Sequence, residues 1–261
     1  GTVGCGYATS IVLWLQLLLL VSYIAVHRHY RPFSLLSRLE APDWKTILGL
    51  LKVGLPIAVA IFVEGSLFVG AALLIGRLGP VPAAAHLVAI NFSALLFMIP
   101  LGLASAISIR VGNAVGRRDM EGARYAGRIG LVIVLFFQSI SASILFFFPA
   151  WVVGIYTDDA VVAPLAVSLL FYAAIFQYPD GLQMVMAGAL RGYKDTRMPM
   201  LYMFISFWIV GMTLGYNLTF NREMGPAGMW IGMIAGLTVG AALMLRRFHH
   251  TSNRYITAQA H

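Results

Sequence analysis

Two acidic side chains stand inside long apolar stretches of this sequence. Glu64 lies in the middle of residues 55–76, and Asp180 lies within residues 160–190. Roughly 20 apolar residues suffice to cross a bilayer as a helix, and an acidic side chain at that depth costs about 3 kcal/mol. Such an acid needs shielding by protein, water or a cation. We interpret the two acids as cation-binding groups, with a neutral, hydrogen-bonded structural role as the alternative for each.

The neighbours of the two acids favour a positively charged guest. Pro179 removes a backbone donor next to Asp180, and the freed carbonyl oxygens beside a carboxylate suit a small hard cation. Aromatic residues share helix faces with both acids, and ring faces attract organic cations. Phe68, Tyr172 and Phe176 are therefore candidates for contact with the guest, and Phe97 of the third run is a further candidate.

Three further polar residues leave two roles open. Asp158 and Asp159 form an acidic loop without Lys or Arg, which either caps the following helix or attracts cations. His86 stands near one end of an apolar run, where a histidine is either a hydrogen-bonded structural group or a proton relay.

The composition is that of an all-α, polytopic membrane protein. The sequence is 60% hydrophobic and 11% charged, and its mean hydropathy is +0.84. The net charge of +8 comes from basic residues between the apolar runs, where they face anionic lipid, so we expect a lipid bilayer and no nucleic acid as partner. The single cysteine excludes an internal disulfide and a cysteine metal cluster.

Seven apolar runs are each long enough to span a membrane, which predicts seven transmembrane helices. They cover residues 3–27, 54–76, 83–109, 126–153, 160–190, 198–220 and 225–245.

The long joint after the first run divides these seven helices into one and six. We expect residues 1–27 to be the last helix of a preceding lobe and residues 28–53 to be a cytoplasmic linker whose segment 43–53 is an amphipathic helix. Residues 54–246 then form a complete six-helix lobe, and 247–261 a cytoplasmic tail. The first residue is Gly1, and we expect the chain to be a fragment whose natural start lies upstream.

The basic residues predict the orientation of the chain. Every Lys and Arg except Arg77 and Arg222 falls in joints on one side of the predicted membrane, with Arg128, at the very start of a run, counted in the joint before it. The positive-inside rule places that side, and with it the C-terminus, in the cytoplasm.

Several ordered segments resemble the MATE (multidrug and toxic compound extrusion) family, most closely its NorM-like bacterial branch. The segments that carry the resemblance are Val63–Phe68, Ala84–Ser93, Met98–Arg117 and Ala187–Thr196. The likeness covers essentially the whole chain and corresponds to the second half of such a transporter.

The resemblance implies a transporter of the bacterial inner membrane with two six-helix lobes, the first of which this chain lacks. It implies export of organic cations in exchange for Na⁺ or H⁺, with no other cofactor. Glu64 and Asp180 match the family's coupling-cation acids, and would be Na⁺ ligands in a sodium-driven member. Asp158 and Asp159 match acidic loop positions near the drug. Phe176 stands where some relatives carry a tyrosine, so that hydroxyl ligand is missing.

Two other functions remain open at this point. A flippase for lipid-linked oligosaccharides in the same superfamily would need a cationic cavity, whereas the predicted spans hold acids and neither Lys nor Arg. A seven-helix receptor would bind a ligand without moving it. We expect no enzyme, because no catalytic constellation, zinc signature or phosphate-binding loop is visible.

Overall fold

The structure is a computed structural model, which describes residues 2–27 and 43–260. The chain divides into two compact units, Gly1–Gly49 and Leu50–His261. Most of the predicted linker, residues 28–42, lies outside the described residues. The first unit contains α1, which exposes apolar side chains along its length.

The described residues are almost entirely helical. The helices are α1 (Thr2–Val26), α2 (Trp44–Gly76), α3 (Pro80–Gly116), α4 (Met120–Phe147), α5 (Pro149–Tyr156), α6 (Val162–Gly192), α7 (Arg197–Phe204), α8 (Thr213–Tyr216) and α9 (Pro226–Ala260). Two π-helical segments, Ile205–Met212 and Asn217–Asn221, join α7 and α8 into one continuous span. Seven helices of this part of the chain are long and apolar enough to cross a membrane, so the predicted fold class is confirmed.

The second span begins earlier than its apolar run. Residues 44–53 are the first turns of α2 and not a separate amphipathic helix. Pro56 lies inside α2 and does not end it. The predicted start is present, because Asp43 accepts hydrogen bonds from Thr46 Oγ1 (2.6 Å) and the Lys45 backbone N–H (3.0 Å). These bonds, that from Thr46 above all, lower the pKa of Asp43 below its usual value.

Two other boundaries differ from the sequence prediction. The run 126–153 is divided by Pro149, which begins the short helix α5 instead of continuing α4. The helix α9 continues through the predicted tail, since the Arg247 guanidinium binds Asp195 at 2.6 Å and Thr251 Oγ1 donates to the same carboxylate at 3.4 Å. Hydropathy predicts the end of a span where its residues become polar, and it does not detect contacts that stabilise the helix beyond that point.

The helix α6 forms the centre of the second unit. It packs against α3, α4 and α9, and buried side chains occur on all its turns. Glycines allow the closest approaches. A Cβ on Gly188 would meet the Ala104 carbonyl of α3, and a Cβ on Gly236 would lie 2.7 Å from the Ser206 carbonyl oxygen. Gly232 and Gly236 of α9 therefore allow close packing against the span of residues 197–221.

Candidate functional site

A cavity of about 360 Å³ lies among α2, α3, α6 and α7. Its walls are mostly apolar, with one acidic and one basic side chain among the described residues. The lining residues are Ile57, Ala60, Ile61, Glu64, Phe97, Leu101, Met184, Ala187, Arg191, Thr196, Pro199 and Met203. A largely apolar pocket with a few polar groups is the usual form of a small-molecule site.

The lining residues follow helix faces that can be read from the spacing. On α2, residues 57, 60, 61 and 64 fall on one stripe; on α6, residues 180, 184, 187 and 191 do the same. Glu64 therefore reaches the cavity because it continues an apolar stripe of α2. Its side chain is half-buried, and it has no hydrogen bond or ion pair to the described residues.

Asp180 lies one turn before Met184 on the cavity stripe of α6 but is not among the lining residues. It is 3% exposed, and its Oδ1 atom has no hydrogen-bond partner in the described part of the chain. Met184 lines the cavity together with Glu64, and the rings of Phe68 and Phe176, each one helical turn from an acid, meet edge-on, so the two acids lie on neighbouring helix faces. The structure thus brings together the two acids that the sequence selects, one at the cavity and one behind it.

Two buried glutamines lie near the position of Asp180 in α6. Gln177 lies one turn earlier on α6, and the Gln138 side chain of α4 occupies the space beside Gly181 where a Cβ would be. Both glutamines are 1% exposed, and their amide atoms have no partners among the described residues. Buried amides of this kind are normally satisfied by water or an ion. The sequence does not single out these two glutamines, because a glutamine within an apolar run forms no recognisable motif.

The predicted aromatic residues occupy different places. Phe97 lines the cavity. The Phe68 ring meets the Phe176 ring edge-on at 6.0 Å between centroids, and Phe176 meets Trp230 at 5.6 Å. Tyr172 is half-buried and does not line the cavity. Phe68 and Phe176 are therefore close to both acids. Tyr172 lies two turns before Asp180, nearer the start of α6.

His86 ends this aromatic row. Its ring lies 5.8 Å from the Trp230 ring, it is 2% exposed, and neither ring nitrogen has a hydrogen-bond partner in the described residues. The hydrogen-bonded structural role expected from the sequence is thus not observed there.

Arg191 is the cavity residue that the sequence analysis placed elsewhere. The sequence pattern assigns Arg191 to a cytoplasmic joint, next to predicted spans without Lys or Arg. Arg191 instead lies in the last turn of α6 and lines the same cavity as Glu64. The spacing 180, 184, 187, 191 could have shown this, but a charged residue at the end of an apolar run is ordinarily assigned to the loop.

The acidic loop before α6 lies at the protein surface. Asp159 Oδ1 accepts hydrogen bonds from the backbone N–H groups of Val161 (2.7 Å) and Val162 (3.3 Å), so it caps the start of α6. Asp158 is exposed, and neither aspartate lines the cavity. The structure favours the capping role for Asp159 and gives neither residue a contact with the cavity.

The capping role can be tested by comparing the two adjacent aspartates. Asp159→Ala should lower the free energy of unfolding by about 1 kcal/mol, because two backbone N–H groups lose their acceptor. Asp158→Ala, the matched control, should leave it unchanged. Thermal unfolding of the purified full-length protein measures both. Equal effects of the two substitutions would contradict the cap.

The chain is similar to known proteins in sequence and in fold. The MatE family model matches residues 56–217. The chain is 50% identical over 260 residues to the "Probable multidrug resistance protein NorM" of Xanthomonas campestris. The match covers 100% of this chain and 57% of that one. It is 42% identical over 251 residues to the "Multidrug resistance protein NorM" of Photobacterium profundum, with 95% and 55% covered. The chain thus spans little more than half the length of these relatives.

A solved structure shares the architecture. It is described as the outward-facing conformation of a multidrug resistance MATE family transporter of the MOP superfamily, and it superimposes with a TM-score of 0.88 at 20% identity. The superposition covers 98% of this chain and 57% of the other. At this identity the likeness shows a shared fold.

Proposed function

We propose, since this chain belongs to the MatE family, that it forms the second lobe of a multidrug efflux antiporter. The complete protein would export organic cations in exchange for Na⁺ or H⁺ across the bacterial inner membrane. The observation that carries the proposal is the pair of acids within apolar helices: Glu64 lines a cavity, and Asp180 lies behind it with an unpartnered oxygen. Two such carboxylates are costly in a membrane unless a cation neutralises them.

The exchange would follow from competition for these two negative charges. A proton or Na⁺ that binds at Asp180 and Glu64 neutralises the carboxylates and weakens their attraction for a cationic drug in the adjacent cavity. Phe97 and the apolar walls would contact the apolar part of the drug, and Phe68 and Phe176 would extend this surface towards Asp180. Carboxylate and amide oxygens suit Na⁺ as ligands, so Gln138 and Gln177 are further candidates beside Asp180. Alternating access would come from rocking of two lobes.

The exposed apolar residues of α1 support the presence of a further, N-terminal lobe in the complete protein. The described part of α1 exposes apolar residues throughout, as expected of a helix whose packing partners belong to another lobe. The missing N-terminal lobe of the same polypeptide would be that partner. The basic residues between the spans favour a cytoplasmic C-terminus of α9.

The proposal predicts gradient-driven transport by the full-length protein and none by this chain alone. Full-length protein in proteoliposomes should move ethidium against its gradient when an opposing Na⁺ or H⁺ gradient is imposed. Imposing each gradient separately identifies the coupling ion. Residues 1–261 alone should give only the leak of empty liposomes, because half of the cavity wall is absent. Ethidium transport by residues 1–261 would contradict the two-lobe requirement.

A flippase remains the second candidate, because Arg191 gives the cavity one cationic group. A pyrophosphate-linked lipid carries at least two negative charges, however, and Glu64 in the same cavity would repel them. The proteoliposome assay separates the candidates, since a flippase would move a labelled pyrophosphate lipid and not ethidium. A receptor would bind ethidium without accumulating it.

A further inference from the structure

We propose that Arg191 is a tethered counter-cation for Glu64, which competes with the positively charged guest and thereby sets how tightly the cavity holds it. This inference rests on the proposed function, because it assumes that Glu64 attracts a cationic guest. It adds Arg191, a positively charged side chain of the protein, as a residue that sets the affinity of the cavity for the guest.

The cavity brings the two opposite charges together without joining them. Glu64 on α2 and Arg191 on α6 both line it. They form no ion pair within 4 Å. The Arg191 Nε atom is buried and has no hydrogen-bond partner among the described residues. Arg191 is thus placed near Glu64 with part of its hydrogen-bonding capacity unused.

The direction of the side chain explains why Arg191 acts on the cavity. In an α-helix each Cα–Cβ bond tilts towards the N-terminus, so a long side chain in the last turn leans back along its own helix. From position 191 this direction leads past Ala187 and Met184, which also line the cavity. The Arg191 side chain consequently leans along the cavity wall that Ala187 and Met184 form.

The charge balance of the cavity gives the functional consequence. An arginine side chain stays protonated in proteins, so in the empty cavity Arg191 compensates the charge of ionised Glu64. A monovalent cationic guest brings a second positive charge to Glu64, in a surrounding where water screens charges poorly. The guest must therefore overcome repulsion by Arg191. This weakens binding and favours release, which an exporter needs as much as it needs binding.

Removal of this charge should tighten cation binding. The probe is tetraphenylphosphonium, a permanent cation, and its Kd is measured by calorimetry with the purified full-length transporter. Arg191→Gln should lower the Kd about tenfold, whereas Arg191→Lys, which keeps the charge, should change it far less. Arg197→Gln is the matched control, since Arg197 is exposed and does not line the cavity. Triphenylphosphine oxide, a neutral analogue, should bind Arg191→Gln and wild type equally.

A double substitution separates competition for Glu64 from general repulsion. In a Glu64→Gln background, removal of the Arg191 charge should tighten tetraphenylphosphonium binding clearly less than in wild type. An unchanged Kd in Arg191→Gln, or equal tightening in both backgrounds, would overturn the inference. Arg191→Met keeps the side-chain length and replaces the Gln variant if that one does not fold. If Glu64→Gln alone leaves the Kd unchanged, the proposed binding role of Glu64 fails instead.

Discussion

Replacing Asp180 by Asn should abolish ion-coupled efflux of the full-length transporter while leaving the protein folded and inserted. Asn has nearly the same shape as Asp but binds neither a proton nor Na⁺ with a full negative charge. Asp180 is 3% exposed, so its charged form is desolvated at a cost, and a neutral amide should not lower the stability. The measurement is ethidium efflux from proteoliposomes under an imposed gradient, with thermal unfolding measured on the same samples.

Glu64→Gln should also abolish coupled efflux, but with a different effect on binding. Glu64 lines the cavity and Asp180 does not, so Glu64→Gln should weaken cation binding directly, whereas Asp180→Asn should mainly remove coupling. Glu121→Gln, the same change at an exposed acid, is the control and should retain efflux. Wild-type efflux in Glu64→Gln or Asp180→Asn would refute the assigned role of that residue.

Gly188→Ala should destabilise the protein more than its size suggests. The added Cβ would meet the Ala104 carbonyl oxygen and lie 2.9 Å from its carbonyl carbon, so the backbones of α3 and α6 would have to separate. Overpacking of this kind costs about 1–3 kcal/mol, and backbone cannot move aside as a flexible side chain can. Because α6 carries Asp180 and Arg191, separation of the two helices should also lower efflux. The thermal midpoint in detergent and the efflux rate measure the two effects.

Gly102→Ala is the matched control for this substitution. Gly102 lies on α3, is exposed, and has no atom within 4 Å of the position of an added Cβ. The same change should leave the thermal midpoint unchanged or slightly higher, because alanine is the better helix former by about 1 kcal/mol. An equal loss of stability at both positions would show that close packing of α3 against α6 is not the cause.

The sequence by itself determined that the chain is a set of seven spans with two acids inside them. These features depend on local properties: a span requires about 20 apolar residues in succession, and an acid within one stands out without knowledge of its neighbours. The ordered motifs around Glu64, Pro100 and Arg191 were sufficient to identify the family.

Only the tertiary structure decided which of these residues meet. Hydropathy assigned Arg191 to a loop, yet Arg191 of α6 and Glu64 of α2 line one cavity. Gln138 of α4 comes to Gly181, the residue after Asp180 on α6. Each of these facts depends on a contact between positions that the sequence does not pair. Hydrophobicity is a property of one residue and its neighbours along the chain, whereas a binding site is a property of helices that pack together.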